Sequence, residues 1–411
     1  MRRDLEALAL GAVAAGLFVT ASSTANAAPC SALPGPPIVY IENGDTQEPL
    51  IKRLGYLLAN SANPIRIVYK NEPSCTLALD MYTPNQMINE GARPIRYIPL
   101  ATEDATFTPL SASPTCDADV PGNDISLGIG ATYLSSCANL AALTKPADLA
   151  IVNGPIEQYG FIVPQASSQI AITAQEGYFA YGYAADTGMA MPWLDQALRF
   201  SRAATASTAL TCSAAIGLKA SQLKGTIPAG NTSTEVLNFV ATSGTPEATI
   251  GILGGDVYDG ARNLVKMLAF KGFNQRYAYY PDSSATSFDK RNVRDGHYLA
   301  WAPTPYITRI DTGTGKATDP NVQRIIDLVF GTRTDADVNG IDQIIASGLV
   351  PQCAMQVQRA FDGGDLSLYS APEPCSCYYE SKVPQGSTKC KACPTGTCAT
   401  GVCRRGYCEA K

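Results

Sequence analysis

The chain has 411 residues, a formal net charge of −5, 16% charged residues and a single histidine. That balance provides no basic face for nucleic acid or for an anionic membrane surface, and 45% hydrophobic residues suffice for a sizeable core, which excludes a disordered or collagen-like chain. Thirteen cysteines at this charge content point to an oxidising compartment.

The start of the chain reads as an export signal. Arg2 and Arg3 precede an apolar run over 8–21 that is short for a membrane span, and Ala25-Asn26-Ala27 is a small-x-small cleavage pattern. Cleavage after Ala27 is expected, giving a periplasmic or extracellular protein. The β-branched and aromatic run over 38–41 predicts a strand. It leads into the polar loop Glu42-Asn43-Gly44-Asp45-Thr46-Gln47-Glu48, where Gly44 permits a sharp turn. Thr46 is placed to cap a helix over 49–58 that carries Pro49 in its first turn. The free amides of such a helix start favour an anion, but Asp45 and Glu48 already stand there, and Asp45 is placed to cap its own helix.

Further strands are predicted at 65–69, 149–152, 160–163 and 248–253, and helices at 233–240, 259–268, 322–330 and 341–346, the last closing on Gly348. This alternation is the signature of α/β layers. Thr232 with Glu235 reads as a capping box rather than as part of the sequon Asn231-Thr232-Ser233. The polar stretch over 282–289, followed by Asp295-Gly296-His297, reads as solvated loop, and Trp193, Trp301, Tyr279 and Tyr280 read as packing residues. His297 has no identifiable nucleophile to serve and no Gly-x-Ser-x-Gly elbow is present, so the chain reads as not an enzyme.

Six cysteines are scattered, at 30, 75, 116, 137, 212 and 353, and seven crowd the tail between 375 and 408. About forty residues cannot bury enough core alone, so the tail is expected to be a disulfide-stapled module. Cys390-Lys391-Ala392-Cys393 has the spacing of half a zinc knuckle, but no histidine lies near and export favours disulfides. The odd total leaves at least one thiol unpaired. The odd count in the tail allows a bridge to the body, with Cys353 the nearest candidate, and Cys116 is expected to pair with Cys137.

Several segments, in order, resemble the phosphate-binding branch of the type II periplasmic substrate-binding proteins over roughly residues 36–350. They are the early strand-loop-helix with Gly44, Thr46 and Pro49, the strand followed by Ser74, Phe161-Ile162-Val163-Pro164, Phe200-Ser201-Arg202 before a Ser/Thr cluster, Ile250-Gly251-Ile252-Leu253 and Asp295-Gly296-His297-Tyr298. The resemblance implies an α/β, two-lobed periplasmic-binding-protein-like (type II) fold, plus the small disulfide-rich C-terminal module. The implied division is a signal peptide over 1–27, lobe 1 over 28–160 and 277–360, an inserted lobe 2 over 161–276, a linker over 361–374 and a cysteine-rich module over 375–411. It further implies a ligand site of Thr46, Ser74, Arg202, Ser207 and Thr208, with the anion held by hydroxyls, helix N-termini and one arginine. The sequence departs from that pattern in three places. Asp45 stands where the first loop often has Ser, the third loop Ser126-Leu127-Gly128-Ile129-Gly130-Ala131 lacks the family's aspartate because Asp124 comes too early, and Ala206-Ser207-Thr208 replaces Ser-Gly-Thr.

The implied function is an exported solute-binding protein similar to the phosphate-binding components of ABC transporters, with a small oxyanion as ligand. The alternative is a structural or interaction protein of the cell envelope that keeps the fold with a decayed site. No cofactor or metal is implied. The implied partners are a small solute and either an ABC transporter permease or an envelope protein met through the C-terminal module, with no nucleic acid.

Overall fold

In the computed structural model, which describes residues 27–89, 91–183 and 190–410, the apolar run after residue 37 forms strand β1 (Ile38–Asn43). The export signal expected over 1–27 lies, up to residue 26, outside the described residues. β1 runs parallel between β2 (Arg66–Asn71) and a later strand, while β3 (Ile95–Tyr97) closes the edge antiparallel to β2. That later strand is β4 (Leu127–Ile129), and Ile41 sits opposite both Tyr69 of β2 and Leu127 of β4. β2 and β4 are buried on both faces and β1 largely so, which explains why the apolar stretches of β1 and β2 run on rather than alternate.

β5 (Leu149–Pro164) decides the architecture. It is followed by β6 (Arg199–Phe200), β7 (Ile250–Gly254), β8 (Val265–Met267) and β9 (Trp301–Arg309). All nine strands belong to one hydrogen-bonded sheet in the order β3-β2-β1-β4-β9-β5-β7-β6, with β8 also paired to β5. The first part of β5 pairs antiparallel with β9, from Leu149 opposite Arg309 to Gln158 opposite Trp301. Its last part pairs with β7 and β8, with Ile162 opposite Gly251 and Met267. β5 therefore links the two ends of the sheet, and β9 runs back alongside its first part. This is the expected two-lobed α/β arrangement. The expected boundary at 160/161 falls within β5, and that at 276/277 falls ahead of β9.

The strands expected separately at 149–152 and 160–163 are thus one. Asn153 and Gly154 do not break it, because Gly154 lies under Tyr306, where a β-carbon would fall 2.6 Å from the ring.

The helices that matter for the site are α1 (Glu48–Ala59), α2 (Ser74–Tyr82), α3 (Ala174–Gly182), α4 (Ser207–Ala215), α5 (Ser233–Ala241) and α6 (Gly255–Gly260). α7 (Pro320–Phe330) and α8 (Gly340–Ala346) follow β9, and α9 (Ser376–Lys382) opens the C-terminal module. α5 carries the expected capping box, with the Glu235 amide donating to Thr232 Oγ1 and the Thr232 amide donating to Glu235. The helix expected over 259–268 is corrected: α6 stops at Gly260, and 265–267 is strand β8. Val265 and Met267 are buried on either side of Lys266, a period of two that had been read as helical. Trp193 and Trp301 are both buried, as packing residues should be.

Six disulfides form: Cys30–Cys116, Cys75–Cys137, Cys353–Cys375, Cys377–Cys390, Cys393–Cys403 and Cys398–Cys408. The expected Cys116–Cys137 bridge is therefore wrong. The N-terminal segment runs beside residue 117, with the Cys30 amide donating to Asp117 O at 2.8 Å, and this brings Cys30 to Cys116. Cys137 instead reaches Cys75 at the start of α2. The body-to-tail bridge does use Cys353, and the unpaired thiol is Cys212, buried in α4.

The module is docked on the body. Tyr378 donates to Asp342 at 2.5 Å and Arg294 pairs with Glu380 at 3.2 Å, while within the module buried Glu409 accepts from the amides of Cys377 and Tyr378 at the start of α9. Among the described residues no helix is long and apolar enough to cross a membrane.

Candidate functional site between the lobes

The loop after β1, the start of α2 and the loop after β4 meet at one point. Gly44 N donates to Ile129 O at 2.9 Å, and Ser74 Oγ accepts from the Ala131 amide at 3.1 Å. Gly44 has φ −59°, which any residue adopts, so its service is proximity rather than turning. A β-carbon there would lie 3.5 Å from Ser74 Oγ and 3.9 Å from Thr46 Oγ1. Thr46 does not cap α1. It sits buried within a single 3-10 turn, Asp45–Gln47, with its Oγ1 3.4 Å from Gln47 Nε2.

From the other lobe, Ser207 and Thr208 form the first turn of α4, and Tyr159 projects from β5. The Tyr159 phenol donates to Ala131 O at 2.6 Å and lies beside the hydroxyls of Ser207 and Thr46. The structure therefore gathers Thr46, Ser74 and Ser207 around Tyr159 and Ala131. Thr208 Oγ1 is buried and has no hydrogen-bond partner among the described residues.

Arg202 does not point at an open anion site. Its Nη1 donates to Ser233 Oγ at 2.6 Å, Nε to Asn231 Oδ1 at 3.1 Å and Nη2 to Asn231 O at 2.6 Å. Nη2 also pairs with Asp45 Oδ2 at 3.0 Å, and the same oxygen accepts from the Ser233 amide at 3.0 Å. Asp45 thus caps a helix, but α5 in the opposite lobe rather than its own. Burial would raise its carboxyl pKa; Arg202 and the Ser233 donors outweigh that and hold it below the usual carboxylate range. Asp45 itself thus meets both an arginine and the first amide of α5. Two further contacts cross the cleft: Cys75 N donates to Thr205 O at 3.2 Å, and Arg93 donates to both Asn71 O and Asn231 O.

Sequence reasoning missed Glu157 and Asp256. Glu157 Oε1 accepts from the amides of Gly255 and Asp256 at 2.9 and 3.2 Å, and Gln47 Nε2 lies 3.5 Å from its other oxygen. A β-carbon on Gly254 would fall 2.6 Å from Asp256 Oδ1, 3.1 Å from Thr46 Cγ2 and 3.3 Å from Glu157 Oε1, so the three side chains close on that glycine. Burial, followed by the neighbouring Asp256, pushes the Glu157 carboxyl well above its ordinary range. Burial likewise pushes Asp256 well up, with Asp45 and Asp259 adding to it. Burial therefore favours the neutral, protonated form of each carboxyl. The available signal was an acid inside an otherwise apolar strand and another just after Gly254-Gly255.

The cleft thus contains three carboxyl groups, Asp45, Glu157 and Asp256, and the guanidinium of Arg202 is paired with the first of them. His297 lies apart from this arrangement: it is exposed, bonded to Asp295 at 2.7 Å and stacked on Tyr279.

No family model matches the chain, and no curated protein matches it. Solved structures do. A proposed phosphate ABC transporter substrate-binding protein from Clostridium perfringens, solved with bound phosphate, is 13% identical over 76% of this chain and 99% of that one, with a TM-score of 0.47. An ABC-type phosphate transport receptor from Vibrio cholerae is 11% identical over 76% and 99% of the two chains, at a TM-score of 0.45. A phosphate-binding protein from Stenotrophomonas maltophilia is 10% identical over 76% and 90%, at 0.43. The likeness is one of fold, and it assigns no ligand to this chain.

Proposed function

We propose that the protein is an exported, non-enzymatic member of the two-lobed binding fold whose cleft is closed by its own Asp45, and that it acts as an interaction protein of the cell envelope rather than as an oxyanion carrier. One observation carries this reading: the Asp45 carboxylate bridges Arg202 and the Ser233 amide across the lobes, where an anionic ligand would sit. The Asp45 charge itself adds to the cost of any further anion, since a like-charge pair at contact distance repels by about 1 to 4 kcal/mol in water-like to surface-like dielectric. The docked disulfide module offers a second surface for an envelope partner.

The second reading, a small-solute binder serving an ABC transporter permease, is supported by the grouping of Thr46, Ser74 and Ser207 at Tyr159 with Arg202 in the same cleft. An oxyanion would then have to displace Asp45. Isothermal titration of the wild type with phosphate and with sulfate separates the two. The proposal expects no binding heat. Saturable heat that disappears in Arg202→Ala would overturn it in favour of the carrier.

A further inference from the structure

The segment after Cys353, whose part over 361–374 is expected to be a linker, is laid against both lobes. Cys353 and Cys375 close it into a loop, and Val357–Gln358 pairs antiparallel with Ser367–Leu368 within it. At the tip of this hairpin Asp362 is placed against both lobes. Its Oδ2 accepts from Ser136 Oγ at 2.5 Å and from Thr132 Oγ1 at 3.0 Å, both in the loop after β4 of the first lobe. Its Oδ1 lies 3.4 Å from the hydroxyl of Thr211, on α4 of the second lobe.

Three residues earlier, Arg359 reaches the returning crossing strand. It donates to the carbonyls of Leu299 and Trp301 and lies 4.3 Å above the Trp301 ring, while Tyr133 donates to the Arg359 carbonyl at 3.0 Å. One loop therefore touches lobe 1, lobe 2 and the strand that joins them. Beside Asp362 a cavity of about 570 Å³ opens between the lobes, lined by Ser136, Asn139, Thr205, Ser213 and Lys219 among others.

We propose that Thr132, Ser136 and Thr211 form a carboxylate-binding site shared by the two lobes, that Asp362 is its intramolecular ligand, and that this contact straps the cleft shut. A carboxylate held by hydroxyl donors forms charge-assisted hydrogen bonds, the stronger kind, and here the donors come from elements that must separate if the lobes open. With the Asp362 side chain removed, the same three hydroxyls and the adjoining cavity accept a small carboxylate from solution. The strap is independent of whether the deeper Asp45–Arg202 contact ever yields to an oxyanion, so the titration above and the test below can fail separately.

The test is hydrogen exchange on the full-length, disulfide-intact protein. Asp362→Ala should speed amide exchange in α4 and in residues 130–137 by roughly tenfold, the loss of one charge-assisted contact at a locally opening site. Asp365→Ala, at an exposed position of the same loop, should change neither segment. Acetate, used as the probe, should restore protection in Asp362→Ala and leave the wild type unaffected. Thr211→Val removes only the donor of the second lobe and keeps the shape, so it serves if Asp362→Ala does not fold; it should speed exchange in α4. Wild-type exchange in both segments of Asp362→Ala, or in α4 of Thr211→Val, overturns the strap. Faster exchange that acetate does not reverse overturns the carboxylate site.

Discussion

Glu42, the fifth residue of β1, shows how a buried acid sets the pH response of this fold. Burial first, then Asp80 and Glu72, push its carboxyl up to about 9 from an ordinary 4.5. Because the folded value is raised, the group's contribution to stability is fully present below about pH 4.5 and is lost as pH rises towards 9. Over that window one such group changes the unfolding free energy by at most about 1.4 kcal/mol per pH unit. Glu157 and Asp256 titrate in the same direction, being raised for the same leading reason. The expectation is that the midpoint of chemical unfolding falls as the wild type is taken from mildly acidic to alkaline pH, and that Glu42→Gln flattens this fall. Equal slopes for wild type and variant would mean that Glu42 is not what titrates. At this scale the sequence was only partly legible. Thr46, Ser74 and Ser207 are singled out only by the family resemblance, because a hydroxyl at a loop or helix start serves equally well as a cap. The partnership of Asp45 with Arg202 could not be placed, since it joins elements of two lobes, and Glu157 was hidden between two stretches read as separate strands.

Elements were most legible where one face is buried and the ends are marked. α1 with Pro49, α5 with its capping box and α8 ahead of Gly348 follow from local signals, and Gly348 has the φ of +80° that suits a helix stop. β8 was misread because three residues with apolar neighbours fit either period until the partner strand is known. β5 was split because glycine and asparagine in mid-strand look like a turn, whereas Gly154 is there for the close approach of Tyr306. Gly154→Ala should therefore destabilise the crossing by about 1 to 3 kcal/mol, the range for forcing extra volume into a packed site. Gly260→Ala, with nothing within 4 Å of the added carbon, should cost far less. Thermal melts of the two variants, side by side, check this. Equal midpoints would show that β5 can shift locally and that Tyr306 does not fix it.

At the scale of the whole molecule, the two lobes are joined by more than their crossing strands. The Asp45–Arg202 pair, the Arg93 contact to Asn231 and the Asp362 contacts to Ser136 and Thr211 each join the two lobes, so opening requires breaking polar contacts at separated points. The two-lobed class itself was legible in the order of the segments; the closure was not, because each latch joins residues whose partners lie in another lobe or beyond the expected linker. Arg202 is nearly fully buried, so removing it leaves Asp45 with a desolvated charge and only the Ser233 donors to hold it. Breaking one half of such a pair typically costs about 3 to 5 kcal/mol. Arg202→Ala should lose stability in that range, and Asp45→Asn should lose less, because Asn presents an oxygen to Ser233 without a charge. The double variant should fall short of the sum of the two by about 1 to 3 kcal/mol, the coupling expected of residues in direct contact. Denaturant unfolding of the four proteins measures that coupling, and small-angle scattering of the same samples measures the radius of gyration. If the pair is a latch, Arg202→Ala is both less stable and more extended than the wild type. If it is only a local ion pair within a body closed by other contacts, stability falls while the radius stays the same. Additive stability losses, by contrast, would mean that Asp45 and Arg202 do not act on one another, and the internal carboxylate would no longer explain a closed cleft.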